Sequence, residues 1–263
     1  MSTIDAILLG GGVGRRFSEG PREGQTSTPK QFVFLNGEPV WIHSLKALCR
    51  LEGLRQVVFT VPSDYLSLAD KQLREFYPEC PIPVKIIVGG ERRQDSSRHA
   101  LEALEQSSPP PTRVMIHDAC RPYLSTSFLE RIHEAGLDRS YGAWIPVVPV
   151  VETLKKVENH QVLETVDRSA VQRVQTPQIF EFSVIRSLVE KTRTLTDLNF
   201  TDDASLCEYY GIPVGTFDGD VRNIKLTYDF EMSALESMLS KKQTERVASK
   251  VPCESESAST YTA

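Results

Sequence analysis

Short apolar runs rich in β-branched residues alternate with helical patterns through the first half of the chain, and this alternation constrains the fold most. Four such runs are predicted to be strands: Ile4–Leu9, Gln56–Val61, Val84–Val88 and Arg113–His117. They are apolar without a polar face, which is typical of strands buried on both sides. Strands that alternate with helices favour an α/β fold, in which a mostly parallel sheet has helices on both faces.

Helical spacing of apolar residues and capping residues place the predicted helices between these strands and after them. Ser127 and Glu130 have the spacing of a capping box. The predicted helices are Pro39–Leu51, a helix capped by Ser63, Asp95–Glu105, a helix from Ser127 to near Gly136, Phe182–Lys191, Asp202–Tyr210 and Tyr228–Leu239. One more strand is predicted at Val214–Phe217.

The alternation of strands and helices stops after Ala143. Apolar and polar residues then alternate on both sides of a Glu-Asn-His turn, which predicts a β-hairpin. We interpret residues from about 147 to 168 as an arm that projects from the sheet. Residues 1–241 are predicted to form one domain with this arm. Residues 242–263 are polar and Ser-rich, which predicts a disordered tail.

The bulk composition excludes several classes of protein. The net charge is −5, which gives no support for a nucleic-acid partner. No run of apolar residues is long enough for a transmembrane helix, and the N-terminus lacks the pattern of an export signal. The five Cys show no metal-ligand spacing, so the sequence does not support a zinc site. An odd number of Cys without a pattern is typical of reduced cytosolic thiols. We therefore expect a cytoplasmic protein without a membrane partner.

Three polar loops follow predicted strands, namely Gly10–Lys30, Gly89–Ser97 and Asp118–Pro122. Ligands of parallel α/β sheets bind at the carboxyl ends of the strands, so we expect these loops to converge. The first loop reads GGGVGRRF, and its glycines leave backbone N–H groups free for phosphate oxygens. A tight strand-to-helix turn is an equally good interpretation of that loop. Phe17 breaks the dinucleotide fingerprint, and the P-loop pattern is absent from this loop.

The other candidate residues also have plain structural alternatives. Lys30 follows Pro29 and would suit a triphosphate, but it could be an ordinary exposed lysine. The loop GGERRQDSS at 89–97 could bind a ligand, or it could be a helix start capped by Asp95 or Ser96. Asp118 could hold a metal ion or a hydroxyl, or it could simply pair with Arg121.

Eight motifs occur in one order: GGGxGRR, PKQ, GGxxRxxS, HDAxRP, ETVDR, QTPQ, TDDAS and NIK. Taken together they resemble the methylerythritol phosphate cytidylyltransferases of the non-mevalonate isoprenoid pathway, over roughly residues 4–240. The resemblance implies a Rossmann-like nucleotidyltransferase domain that binds CTP with Mg²⁺. The acceptor phosphate would attack the α-phosphorus of CTP and release pyrophosphate. Another alditol phosphate, such as ribitol 5-phosphate, is the alternative acceptor.

The resemblance also implies roles for individual residues. The catalytic residues would be Arg16, Lys30 and Lys225. The nucleotide would be bound by Gly10, Gly11, Gly12, Gly14, Gly90, Glu91, Arg93, Ser96, Asp118 and Ala119. The acceptor would be bound by Asp118, Arg121, Thr153, Arg168, Thr176, Thr201 and Lys225. Asp118 would also lie near the metal, and a homodimer would form through the arm, so that Thr153 and Arg168 reach the neighbouring subunit's acceptor.

The chain departs from the family pattern at several positions. Gly10–Gly12 replaces a common Ala-Ala-Gly, Cys120 replaces a common Ala, and the polar insert at 18–28 is longer than usual. A Trp that often follows the TVDR motif is absent from the segment SAVQRVQTPQ. Two other classes stay open as alternatives: a sugar-1-phosphate nucleotidyltransferase using UTP or GTP, and an inactive binding module.

Overall fold

The computed structural model describes residues 4–11, 28–195 and 198–248. The described strands, in chain order, are β1 (Ile4–Leu9), β2 (Phe34–Leu35), β3 (Glu38–Pro39), β4 (Leu54–Val61), β5 (Val84–Val88), β6 (Arg113–Asp118), β7 (Ala143–Pro149), β8 (Leu154–Glu158), β9 (Gln161–Val166), β10 (Gln172–Val174), β11 (Gln178–Glu181) and β12 (Val214–Asp218). The helices are α1 (Val40–Leu48), α2 (Leu66–Phe76), α3 (Arg93–Glu105), α4 (Thr126–Leu137), α5 (Phe182–Lys191), α6 (Ala204–Tyr209) and α7 (Glu231–Ala248).

The central sheet has the strand order β10-β7-β11-β6-β1-β4-β5, and β12 also pairs with β7. Strands β6, β1, β4 and β5 run parallel, as the sequence predicts. Strand β11 enters antiparallel between β6 and β7, and β12 pairs parallel with β7. The predicted α/β class with a mostly parallel sheet is therefore confirmed. Strands β7, β10 and β11 were not predicted, and the last two are only three and four residues long.

Apolar side chains fill both faces of the sheet. Helices α1, α2 and α4 cover one face, where the Trp41 ring stacks on Phe59 with centroids 4.4 Å apart. The Trp41 indole N–H donates to Gln72 at 2.7 Å, so the buried ring leaves no unpaired donor. Helices α3, α5 and α6 cover the other face. Strand β1 is buried along its whole length because both of its faces pack against helices.

Among the helix starts that differ from their predicted positions, those of α3, α4 and α7 are set by local hydrogen bonds. The hydroxyl of Ser125 accepts from the Phe128 N–H at 3.2 Å, so Ser125 rather than Ser127 caps α4. Helix α3 begins at Arg93 because Arg92 and Asp95 bond reciprocally across its first turn. Helix α7 begins at Glu231, whose carboxylate accepts from the Tyr228 N–H at 2.9 Å. A local hydrogen bond, which apolar periodicity does not report, sets each boundary.

The predicted arm contains the antiparallel hairpin β8–β9. Asn159 and His160 form its two-residue turn with φ of 47° and 64°, the conformation of a type I′ turn. Val157 and Val162 face each other across the strands and are both 56% exposed. A two-stranded hairpin with exposed apolar residues is marginal by itself.

Helix α7 continues past the predicted domain end at residue 241 to Ala248, so the first part of the predicted tail is helical. The rest of the tail, from residue 249, lies outside the described residues. Within the described parts of the chain, no helix is long and apolar enough to cross a membrane.

Candidate active site

The loops after β1 and β5 meet at Ser96, near the start of α3. The Gly10 N–H donates to the Thr60 carbonyl at 2.9 Å, which fixes the first loop against β4. A Cβ atom on Gly11 would lie 2.9 Å from the Ser96 Oγ, and the Gly90 N–H donates to that oxygen at 3.0 Å. The backbone of both loops therefore packs around one buried hydroxyl, and a side chain at Gly11 would separate them.

Asp118 ends β6 and lies at the centre of a cluster of cationic side chains. The Lys225 Nζ lies 2.9 Å from its Oδ2, and the Arg121 Nε lies 3.3 Å from the same oxygen. The Arg93 Nη2 lies 4.0 Å from Oδ1. The structure thus brings together four of the predicted site residues, which come from β6, the loop after it, α3 and the segment before α7. The predicted pairing of Asp118 with Arg121 is also present, as one part of the larger cluster.

Charge compensation sets the protonation of this cluster. Burial by itself would raise the pKa of Asp118, but Lys225, Arg121 and Arg93 together hold that pKa well below its usual value. Asp118 in turn raises the pKa of Lys225, against the opposing effect of burial. Asp118 is therefore ionised and Lys225 charged at neutral pH. Cations held by one shared carboxylate are already oriented when a phosphate group arrives.

A second acidic residue fixes Arg93 from the other side. Asp203 is 1% exposed, and its carboxylate accepts from the Arg93 guanidinium and, at 2.7 Å, from the Ser97 hydroxyl. Burial lowers the pKa of Arg93, and the charges of Asp203 and Asp118 outweigh this and raise it. Arg93 therefore links two buried carboxylates and stays charged.

Thr176 connects the backbone of β6 to the loop before β11. Its hydroxyl accepts from the Asp118 N–H at 3.1 Å and lies 3.0 Å from the His117 Nδ1. The other ring nitrogen of His117 lies 3.1 Å from the Arg121 carbonyl. Burial lowers the pKa of His117 to about 4, so the ring is neutral at physiological pH. The Thr176 hydroxyl therefore holds the Asp118 end of the Asp118–Arg121 turn, and His117 holds its Arg121 end.

The segment that carries Lys225 is held by the same turn. The Arg121 Nη1 donates to the Asn223 carbonyl at 2.7 Å, and the Leu226 N–H donates to the Cys120 carbonyl at 2.8 Å. These bonds on either side of Lys225 direct it toward Asp118.

Lys30 begins a short 3-10 turn, Lys30–Phe32, beside the cluster. It is half-buried, and the side chain of the next residue, Gln31, donates to the Gly10 carbonyl. Burial and Asp118 raise the pKa of the Cys120 thiol, while Lys225 and Lys30 oppose that rise. Lys30 is thus electrostatically close to the loop after β6, although the chain between Gly11 and Thr28 lies outside the described residues.

The described side chains at the site provide few ligands for a divalent metal ion. Among the described residues, no group of three or more His, Cys, Asp or Glu side chains could hold a metal ion. Asp118 alone fits a magnesium ion that takes most of its ligands from substrate phosphates and water, which is common for Mg²⁺.

Several predicted site residues are not among the described contacts of the Asp118 cluster. Thr153, Arg168, Thr201 and Glu91 are exposed, and the Arg168 guanidinium donates to the Val151 carbonyl at the base of the arm. Arg168 is not among the described ion-pair partners of Asp118. Ala119 is buried, and its N–H donates to the Leu9 carbonyl at 2.9 Å. Gly12, Gly14 and Arg16 lie outside the described residues.

The sequence analysis did not assign a role to three buried polar residues that hold the Asp118 cluster together. Asp203 fixes Arg93, Asn223 accepts from Arg121, and Gln178 anchors the turn before α6 through the N–H groups of Asp203 and Ala204. All three lie in motifs that the sequence analysis quoted, TDDAS, NIK and QTPQ. The signal was therefore present, but only the fold shows which atoms these residues contact.

A mostly parallel α/β sheet with glycine loops and preoriented cations at its strand ends is typical of proteins that bind nucleotides or other phosphate groups. The profile of the 2-C-methyl-D-erythritol 4-phosphate cytidylyltransferase family matches residues 4–241. The chain belongs to this family.

Curated relatives and solved structures agree with this assignment. The chain is 36% identical over 242 residues to the 2-C-methyl-D-erythritol 4-phosphate cytidylyltransferase of Geobacillus thermodenitrificans, covering 92% of this chain and 99% of that protein. It is 36% identical over 241 residues to the bifunctional enzyme IspD/IspF of Bartonella bacilliformis, covering 91% of this chain. The chain spans only 57% of the length of that bifunctional relative. The crystal structure of the Thermus thermophilus cytidylyltransferase superposes with a TM-score of 0.67 at 26% identity, covering 89% of this chain and 98% of that one.

Proposed function

We propose that the chain is a CTP-dependent cytidylyltransferase that converts 2-C-methyl-D-erythritol 4-phosphate to CDP-methylerythritol and pyrophosphate, in isoprenoid precursor synthesis. Family membership supports this activity. The observation that carries it is the set of three cations, Lys225, Arg121 and Arg93, held around the buried Asp118 at the carboxyl ends of the strands. Such a set suits a reaction between two phosphate groups, because both are anionic before they meet.

The reaction requires positioning and charge neutralisation more than covalent chemistry. Arg93 lies on the side of the Gly90–Ser96 loop and is assigned to the nucleotide. Lys225 and Arg121 contact Oδ2 of Asp118, whereas Arg93 is nearer to its Oδ1, and Lys225 and Arg121 are assigned to the acceptor phosphate. Lys30, together with Arg16, would stabilise the charge that moves onto the departing pyrophosphate. Because Asp118 and Asp203 hold the arginines in place, little reorganisation is needed during the reaction.

Magnesium is part of the proposal. When bound, Mg²⁺ would neutralise charge on the triphosphate of CTP. Asp118 is the residue that would contribute an oxygen. Since Asp118 already holds three cations, we expect this ion to bind with CTP rather than alone.

The subunit arrangement is also part of the proposal. The exposed apolar hairpin and the exposed Arg168 support a homodimer in which each arm completes the partner's acceptor site. The cytoplasmic location predicted from the sequence stays a prediction.

Pyrophosphate release tests the proposed activity directly. Purified protein would be given CTP or UTP with 2-C-methyl-D-erythritol 4-phosphate, ribitol 5-phosphate or a sugar 1-phosphate. We expect turnover with CTP and the methylerythritol acceptor, and a strong preference for CTP over UTP, because a site that hydrogen-bonds the cytosine amino group rejects a base without it. Equal rates with both nucleotides, or faster turnover of ribitol 5-phosphate, would refute the proposal in its present form.

A further inference from the structure

The motif QTPQ, Gln175 to Gln178, lies between the two halves of the candidate site. Its Thr176 is already assigned to the acceptor pocket, but its two glutamines have no role in the proposed reaction. Gln175 is 7% exposed and Gln178 is fully buried. Burial of an amide is costly unless both its donor and acceptor atoms are paired, so the partners of these side chains are informative.

Gln175 holds the segment that carries Lys225. Its Nε2 donates to the Asp220 carbonyl at 2.9 Å, and its Oε1 accepts from the Asp220 N–H at 3.1 Å. Asn223 adds a parallel contact, because its Nδ2 donates to the Thr176 carbonyl at 2.8 Å. The Asn223 carbonyl accepts in turn from Arg121. Gln175 therefore positions the acceptor side of the cluster, Lys225 and Arg121.

Gln178 holds the turn that carries Asp203. Its Oε1 accepts from the N–H groups of Asp203 at 3.2 Å and Ala204 at 3.1 Å. Its Nε2 donates to the Asp202 carboxylate at 2.6 Å. Asp203 then fixes Arg93. Gln178 therefore positions the nucleotide side of the cluster.

We propose that Gln175 and Gln178 are positioning residues that act as two separate clamps, one on the acceptor side and one on the nucleotide side of the site. Thr176, between them, joins both clamps to Asp118 through the Asp118 N–H. Neither glutamine contacts Asp118 by the described hydrogen bonds, so each acts through another residue. This inference rests on the proposed function for the assignment of the two sides.

The test replaces each glutamine by methionine, which keeps the length of the side chain and removes its hydrogen bonds. Gln178→Met should raise the KM for CTP about tenfold, and Gln175→Met should raise the KM for the acceptor phosphate about tenfold. Each change removes several hydrogen bonds of the glutamine, but binding is weakened only through the charged group that the glutamine positions, so an effect the size of one hydrogen bond is expected. Each variant should leave the other KM within about threefold. Gln106→Met, an exposed residue at the end of α3, is the matched control and should leave both values unchanged.

A second measurement separates local release from unfolding. Amide hydrogen exchange should speed up over residues 200–206 in Gln178→Met and over residues 218–226 in Gln175→Met, with the core strands unchanged. If a methionine variant does not fold, the asparagine variants Gln175→Asn and Gln178→Asn replace it. They keep a neutral amide but shorten the side chain, which lengthens its hydrogen bonds, and they should shift the same KM values in the same direction.

The outcomes distinguish this inference from the proposed function. Equal increases of both KM values in both variants, or unchanged kinetics and exchange in folded variants, would overturn the two-clamp inference while leaving the activity intact. If the wild-type protein does not turn over CTP with the methylerythritol acceptor, the proposed function fails. The exchange pattern then still decides whether the two glutamines hold separate segments.

Discussion

At the scale of single residues, the candidate site depends on one buried carboxylate that is shared by several cations. A buried charge is costly unless it is paired, and removing one partner of such a pair is strongly destabilising. Asp118 therefore requires its lysine and arginines for stability, and they require it for orientation. A phosphate group that enters the site meets cations that are already charged and in place.

Lys30 differs from the cations of the Asp118 cluster, because it is not among the described ion-pair partners of Asp118. If it contacts charge that moves during the reaction, Lys30→Ala should mainly reduce kcat, by roughly 10²-fold or more. The KM values for CTP and the acceptor should change much less. Steady-state kinetics would measure this, with the exposed Lys71→Ala as control. A pure increase in KM for CTP would assign Lys30 to ground-state binding.

The buried His117 ring leads us to predict how the stability of the protein depends on pH. Its pKa is lowered by burial to about 4, so between pH 4 and the ordinary histidine value the unfolded chain binds more protons than the folded one. Stability is therefore lost as the pH falls through this window, by up to about 3 kcal/mol. Urea unfolding at about pH 7 and about pH 4.5 should show a smaller loss in His117→Gln than in the wild type. The same loss in both proteins would contradict this assignment.

At the scale of elements, the hairpin β8–β9 has the clearest consequence. Two-stranded hairpins need another surface for stability, and Val157 and Val162 are exposed in the single chain. Deleting residues 155–162 should weaken self-association and activity together, as measured by sedimentation at the concentration of the assay. A deletion variant that is monomeric and fully active would show that the arm is not needed.

Arg168 at the base of the arm allows a sharper check of the same prediction. Arg168→Ala should mainly weaken acceptor binding, because its charge would meet a phosphate that is already charged before attack. Mixed dimers of Arg168→Ala and Lys30→Ala subunits should regain activity if the arm crosses to the partner's site. In such a dimer, one site would then contain both wild-type residues. Absence of recovery despite confirmed subunit exchange would place Arg168 in its own subunit.

At the scale of the whole molecule, α7 joins the end of the domain to the core. Leu235 and Leu239 are buried against Leu226 and Cys120, in the segments that carry Lys225 and follow Asp118. Residues beyond Lys242 are mostly polar and Ser-rich, so they have little apolar surface that could add stability to the domain. Truncation after Lys242 should therefore leave the melting temperature and kcat nearly unchanged. Truncation before Leu235 is the contrasting control and should destabilise strongly, since each buried leucine contributes about 2–5 kcal/mol.

The sequence by itself determined the parallel half of the sheet. Strands β1 and β5 have the predicted bounds, and β6 extends only one residue past its predicted end. Long apolar runs and helical periodicity are local signals, and the carboxyl ends of parallel strands must meet. That is why the convergence of the loops at Gly10, Gly89 and Asp118 could be predicted.

Only the tertiary structure decided how the second half of the chain completes the site. Strands β10 and β11 are too short to carry a periodic signal, and their place in the sheet depends on pairing with β7 and β6. The contacts of Gln178 with Asp203, and of Asn223 with Arg121, join residues far apart in the chain. Hydrogen bonds between distant buried groups depend on the packing of the whole sheet, so residue spacing predicts which polar residues matter without predicting what they hold.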